Sequence, residues 1–127
     1  MDKVVIRTEH APAPFQGAPY NQAIRVGDLV FVAGQLGLKP GESKIEGDIT
    51  AQTDQVLRNL TAILEEAGSS LANLVKTSVF LQDLGDFAAM NEVYAEYVGD
   101  RPPARSTFEV SRLPSGALVE IEAVAHL

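Results

Sequence analysis

Apolar positions along the chain fall into two periods, and the change from one to the other marks out its elements. Val4–Thr8 is a short β-branched run that reads as a first strand, and Ala11–Pro19 then carries three prolines and a glycine that forbid a helix. Ala23–Gln35 holds two β-branched runs either side of Gly27-Asp28, which predicts an antiparallel hairpin. From Asp48 or Thr50 to Ala67 the period lengthens. Val56, Leu57, Leu60, Ile63, Leu64 and Ala67 recur at three and four, predicting a helix that Gly68 closes.

Asn73–Gln82 returns to alternation, with Val75, Thr77, Val79 and Leu81 against Lys76, Ser78, Phe80 and Gln82. Asp86 is placed to cap a second helix in which Phe87, Met90, Tyr94 and Val98 form one stripe before Gly99 and Pro102-Pro103 end it. Asn91 interrupts that stripe, and a buried amide without partners costs about 1–3 kcal/mol, so it requires a reason. Two last strands, Ala104–Val110 and Ala117–Ala125, flank a turn at Leu113–Gly116. Val119, Ile121, Ala123 and Ala125 share one face of the final strand; Leu118, Glu120, Glu122 and Val124 share the other.

The order β, β-β, α, β, α, β-β, with no repeat and no dividing linker, predicts one α+β domain over residues 1–127 with a mixed sheet. Two helices cover only one sheet face. Phe80, Phe108, Leu118 and Val124 put apolar groups on the other, and burial against further copies of the chain answers that exposure.

Composition narrows the chemistry. Ten basic against seventeen acidic residues give a net charge of -7, which repels phosphate backbones, so nucleic acid is a poor partner. No cysteine is present, which removes thiolate nucleophiles, disulfides and Cys-type metal sites. With only His10 and His126, a three-histidine metal site is excluded as well. Gly41-Glu42-Ser43-Lys44 has the wrong residue order for a phosphate loop. No stretch has the length of an apolar membrane span and the opening residues lack a signal-peptide core, so a cytoplasmic location is expected.

Arg105 lies inside a run that otherwise alternates like a core edge. If its strand pairs with the last one through the Pro114 turn, Glu120 or Glu122 comes near, and a cross-strand ion pair is the plain reading. The alternative is a guanidinium fork holding the carboxylate of a small ligand, with a neighbouring glutamate polarising a water. Tyr20, after the proline-rich loop, is either a hydrogen-bond donor or a half-buried aromatic. Residue chemistry alone leaves these alternatives open.

Several blocks taken together resemble the RidA/YjgF family of reactive-intermediate deaminases. "APYNQAI" is similar to the family's Gly-Pro-Tyr-Ser-Gln-Ala opening, and "VFVAGQLGL" to its strand ending in Ser-Gly-Gln. "NLVKTSVFLQDLGDFAAMNEVYAEY" and "PPARSTFEVSRLPSGALVEIEAVA" resemble its strand–helix unit and its Pro-Ala-Arg-Ser…Glu-Ile-Glu-Ala signature. The resemblance implies a chorismate-mutase-like subunit, a homotrimer whose sheets form a central barrel with helices outside, and active sites between subunits. It also implies hydrolysis of 2-iminopropanoate, 2-iminobutanoate or their enamine tautomers to 2-keto acids and ammonia, with no metal or organic cofactor.

By position, the resemblance gives Arg105 the substrate carboxylate and Glu120, rather than Glu122, the attacking water. Tyr20 lines the pocket; Ala33, Gly34 and Thr107 contact substrate or water through their backbone; Phe87 and Asn91 shape or brace the site. Ala18, Ala33 and Thr107 depart from the family's glycine, serine and, in some members, cysteine. A member dedicated to an aminoacrylate-like intermediate and a non-catalytic, metabolite-binding or chaperone-like trimer are the alternatives. The family's link to RNA cleavage fits poorly with the acidic charge.

Overall fold

A computed structural model describes residues 1–127 as a six-stranded mixed sheet with two helices packed on one face. The strands are β1 (Lys3–Ile6), β2 (Ala23–Val26), β3 (Leu29–Leu36), β4 (Leu74–Leu81), β5 (Ala104–Glu109) and β6 (Val119–His126). The helices are α1 (Ile49–Glu66) and α2 (Phe87–Val98). The order across the sheet is β1-β2-β3-β6-β4-β5, and only β4 and β5 run parallel.

The local signals produce the expected elements for identifiable reasons. Gly27 has φ 58° in the two-residue turn between β2 and β3, a value that glycine supplies without strain. The Asp48 carboxylate caps α1 by accepting from the Ala51 amide at 2.9 Å. At the other end Gly68 has φ 86°, its N–H donates to the Glu65 carbonyl, and Ser69 N–H donates to that of Leu64. That pair of bonds is a Schellman cap. Asp86 precedes α2 but makes no side-chain cap; Asp83 instead accepts from the Gly85 amide in the 3-10 turn before the helix.

One pairing differs from the sequence reading. The strands either side of the Pro114 turn do not form a hairpin: β6 inserts between β3 and β4, while β5 pairs in parallel with β4 at the sheet edge. A parallel pair needs a crossover, and α2 supplies it between β4 and β5. Strand composition agrees. β6 buries Val119, Ile121, Ala123 and Ala125 on one face as a central strand can, whereas the Arg-Ser-Thr run of β5 suits an edge that water can solvate.

The core lies between the sheet and the helices. Leu57, Leu60, Ile63 and Leu64 of α1 and Met90 of α2 are fully buried against Val79, Leu81 and Ile121. Each such side chain contributes about 1.5–3 kcal/mol of hydrophobic stabilisation. The opposite face stays open: Phe31 is 46% and Phe108 54% exposed. Leu118 does not join that face, since it precedes β6 and packs against the helix-side core.

Candidate active site

The register of β6 divides the candidate residues into two groups. Glu120 pairs with Leu36 of β3 and Phe80 of β4, which places it on the open face. Arg105 and Thr107 pair with Thr77 and Val79, whose side chains are buried on the helix face. The sheet therefore stands between Arg105 and Glu120, with the whole of β4 separating their strands. No cross-strand ion pair joins Arg105 to either glutamate, and the only side-chain ion pair in the molecule links Arg58 and Asp54 of α1 at 2.7 Å.

The Glu120 group gathers around a cavity of about 520 Å³. Between Val32 and Gln35 the pairing of β3 with β6 shifts register, so Ala33 and Gly34 form a bulge at the cavity wall. Gly34 leaves the space that Glu120 occupies: a Cβ would sit 2.6 Å from Glu120 Oε2 and 2.9 Å from its Cδ. Lying against bare backbone, the Glu120 carboxyl is half-buried, and desolvation raises its pKa above the ordinary glutamate value. The negative charge of Glu122, on the same face, pushes it further in the same direction.

Tyr20 also lines this cavity. Its hydroxyl oxygen accepts from the Phe15 amide at 2.6 Å, which leaves the phenolic hydrogen free to donate to a ligand. The loop wall is held by Gln22, a buried amide that the sequence reading passed over. Its Oε1 accepts from the Thr8 amide at 2.7 Å, and its Nε2 donates to the carbonyls of Thr8, Ala11 and Pro12. Asn59 does the same for the opposite wall by donating to the carbonyls of Leu36 and Leu38. Gln52 ties α1 to the start of β6, its Oε1 accepting from the Leu118 amide at 2.9 Å.

The Arg105 group faces α2. The guanidinium carbon lies 5.5 Å from the Phe87 ring centroid and 4.8 Å from that of Tyr94, so two aromatic faces hold the cation in place. Tyr94 is itself fixed by a 2.6 Å hydrogen bond between its hydroxyl and that of Thr77. Asn91 sits one turn beyond Phe87 on the same helix. Its Oδ1, like Thr107 Oγ1, is buried without a hydrogen-bond partner. The unpaired guanidinium has the chemistry of a half-site for a carboxylate, and the Thr107 hydroxyl has a hydrogen to donate, whereas the Asn91 amide oxygen is an acceptor and calls for a donor.

The structure thus brings Tyr20, Ala33, Gly34 and Glu120 together, and separately gathers Phe87, Asn91, Arg105 and Thr107. Tyr94 belongs with the second set and was missed as a site residue. Its helical spacing from Phe87 was visible, but its place under Arg105 depends on the parallel β4–β5 pairing. No group of three His, Cys, Asp or Glu side chains is placed to hold a metal ion, and no helix is long and apolar enough to cross a membrane.

Known proteins define the class to which this arrangement belongs. The sequence profile of the family described as Endoribonuclease L-PSP matches residues 8–127. A RutC family protein of Pyrococcus abyssi is 55% identical over 127 residues, covering 99% of this chain and 98% of that one. Reactive Intermediate Deaminase A, chloroplastic, of Arabidopsis thaliana is 45% identical over 126 residues, covering 98% of this chain and 66% of its own length. The crystal structure of Escherichia coli TdcF with bound serine superposes with a TM-score of 0.90 at 38% identity, covering 98% of each chain. The chain belongs to the RidA/YjgF family.

Proposed function

We propose that the protein is a cytoplasmic deaminase that hydrolyses 2-iminopropanoate, 2-iminobutanoate and their enamine tautomers to 2-keto acids and ammonia. The carrying observation is the division of the site: an unpaired Arg105 guanidinium on the helix face and a half-buried Glu120 carboxyl in a cavity on the other. Both functions are needed by one substrate, so the Arg105 edge of one copy meets the Glu120 cavity of the next. A homotrimer with its sheets turned inward does this and covers Phe31 and Phe108. The bound serine of TdcF and the name of the Arabidopsis relative support an amino-acid-sized substrate and a deaminase reaction.

In this reading Arg105 holds the carboxylate by two parallel hydrogen bonds. Glu120 accepts a proton as water attacks the imine carbon, forming the carbinolamine. It returns that proton to nitrogen, the C–N bond breaks, and the carbonyl forms as ammonia leaves with the hydroxyl proton. Tyr20 donates to the developing oxygen, the backbone of Ala33, Gly34 and Thr107 positions substrate and water, and Asn91 and Phe87 brace Arg105.

The test generates an imino acid in situ with an amino acid oxidase in the presence of semicarbazide, which traps the imine. Wild type lowers the rate of semicarbazone formation, and Arg105→Ala loses about 10²-fold or more in kcat/KM, as expected when a positioning ion pair is removed. Wild type no faster than spontaneous hydrolysis, or an unimpaired Arg105→Ala, overturns the proposal. Keto-acid occupancy at Arg105 without turnover identifies a binding protein instead.

A further inference from the structure

Arg105 is held by rings where an arginine on a strand is ordinarily held by a carboxylate. Its guanidinium carbon lies over Tyr94 at 4.8 Å and over Phe87 at 5.5 Å, and no acid stands within ion-pair distance of it. The difference matters for a group that must receive a carboxylate. A glutamate partner would occupy the N–H fork and have to be displaced by each substrate, whereas a ring attracts the cation through its π-face and leaves those N–H groups free.

The two rings are not equivalent. Phe87, at the first position of α2, is 41% exposed, while Tyr94, two turns further along the same face, is 5% exposed and lies nearer the cation. Tyr94 is also tied at both ends. Its backbone belongs to α2, and its hydroxyl shares a 2.6 Å hydrogen bond with that of Thr77, which is fully buried in β4. Thr77 is in turn the register partner of Arg105 across the parallel β4–β5 pair. The strand position that anchors the ring therefore neighbours the one that carries the cation, and one backbone pairing sets both.

From this arrangement we infer that Tyr94 is a positioning residue for carboxylate recognition: anchored by Thr77, its ring fixes the orientation in which Arg105 presents its fork to the substrate. The inference rests on the reading of Arg105 as the carboxylate holder and deepens it. Neither Tyr94 nor Thr77 touches the reacting atoms; both act through the guanidinium.

Pyruvate, the 2-keto acid product of 2-iminopropanoate, is the probe. Calorimetry gives its Kd, and the semicarbazide assay gives kcat/KM for the alanine-derived imine. Tyr94→Leu removes the π-face, and pyruvate affinity and kcat/KM are each expected to fall about tenfold, in step because both contain the lost carboxylate interaction. Tyr94→Phe keeps the face but loses the anchor and strands the Thr77 hydroxyl, so affinity falls about threefold and Tm drops. Adding Thr77→Val removes the stranded hydroxyl, and Tm recovers while affinity stays low.

A ring with a purely structural part gives the opposite pattern. Pyruvate affinity that returns with Tm in the double variant, or that Tyr94→Phe leaves unchanged, overturns the inference. The same holds for a folded Tyr94→Leu with wild-type affinity, and the Tyr94→Phe series decides alone where Tyr94→Leu does not fold. Wild type that binds pyruvate and accelerates no imine overturns the deaminase reading instead, while the part of Tyr94 in carboxylate binding is still read from Kd.

Discussion

Two neighbours of Glu120 act by what they omit or repel. Gly34 has no side chain because the Glu120 carboxyl occupies that space, within 2.6 Å of where a Cβ would be. Gly34→Ala displaces the end of a flexible side chain rather than backbone, so the fold tolerates it. A shift of that size at a reacting group is expected to lower kcat/KM about 10²-fold with little change in Tm. Circular dichroism melts beside the imine assay check both halves of that expectation. Glu122 acts by charge. A glutamate serving as base must be ionised, so turnover falls as pH drops through its pKa, and the acid limb should lie above the ordinary glutamate value because burial and Glu122 both raise it. Glu122→Gln removes the smaller cause and leaves burial, so the limb of the kcat–pH profile moves to lower pH. An unmoved limb would show that Glu122 does not influence the base.

Elements matter here through their edges and bulges. The crossover through α2 puts β5 at the sheet margin, which leaves one side of the backbone around Arg105 and Thr107 unpaired. A hairpin between β5 and β6 would have buried that edge. The β3 bulge has the complementary effect, releasing Ala33 and Gly34 from regular pairing so that backbone faces the cavity. Loops are kept in register with these elements by buried amides. Gln22→Leu strands the Thr8 amide and the carbonyls it holds, which should cost about 1–3 kcal/mol or more. In urea unfolding this appears as a lower midpoint with the m-value unchanged. If stability is unaffected, the amide network does not hold the cavity wall.

For the whole molecule the uncovered surface is the open sheet face. Phe31 and Phe108 are apolar, half-exposed and on the side that no helix covers. Under the proposed assembly a charge at either position is buried against a neighbour, so Phe108→Asp should convert the trimer to monomer in light scattering. Turnover should fall with it, because the Arg105 edge then loses its opposing cavity. A monomeric variant with full turnover would place the complete site within one chain. The net charge of -7 belongs to this scale too: it opposes phosphate backbones, and only a local basic surface could reverse that.

The periodicity of residues 48–67 and 119–125 was enough to predict α1 and the division of β6 into two faces, because helix and strand periods are local consequences of backbone geometry; the choice of Asp48 over Thr50 as the cap came only with the structure. The candidate residues were also legible one by one, since their chemistry travels with the side chain. Their grouping was not. Whether Arg105 pairs with Glu120 or faces away from it depends on which strand lies beside β5, and strand order is set by long-range packing and the α2 crossover. The buried amides escaped notice for the same reason: Gln22 reaches back 14 residues to Thr8 and Asn59 back 23 to Leu36, distances that no local period records.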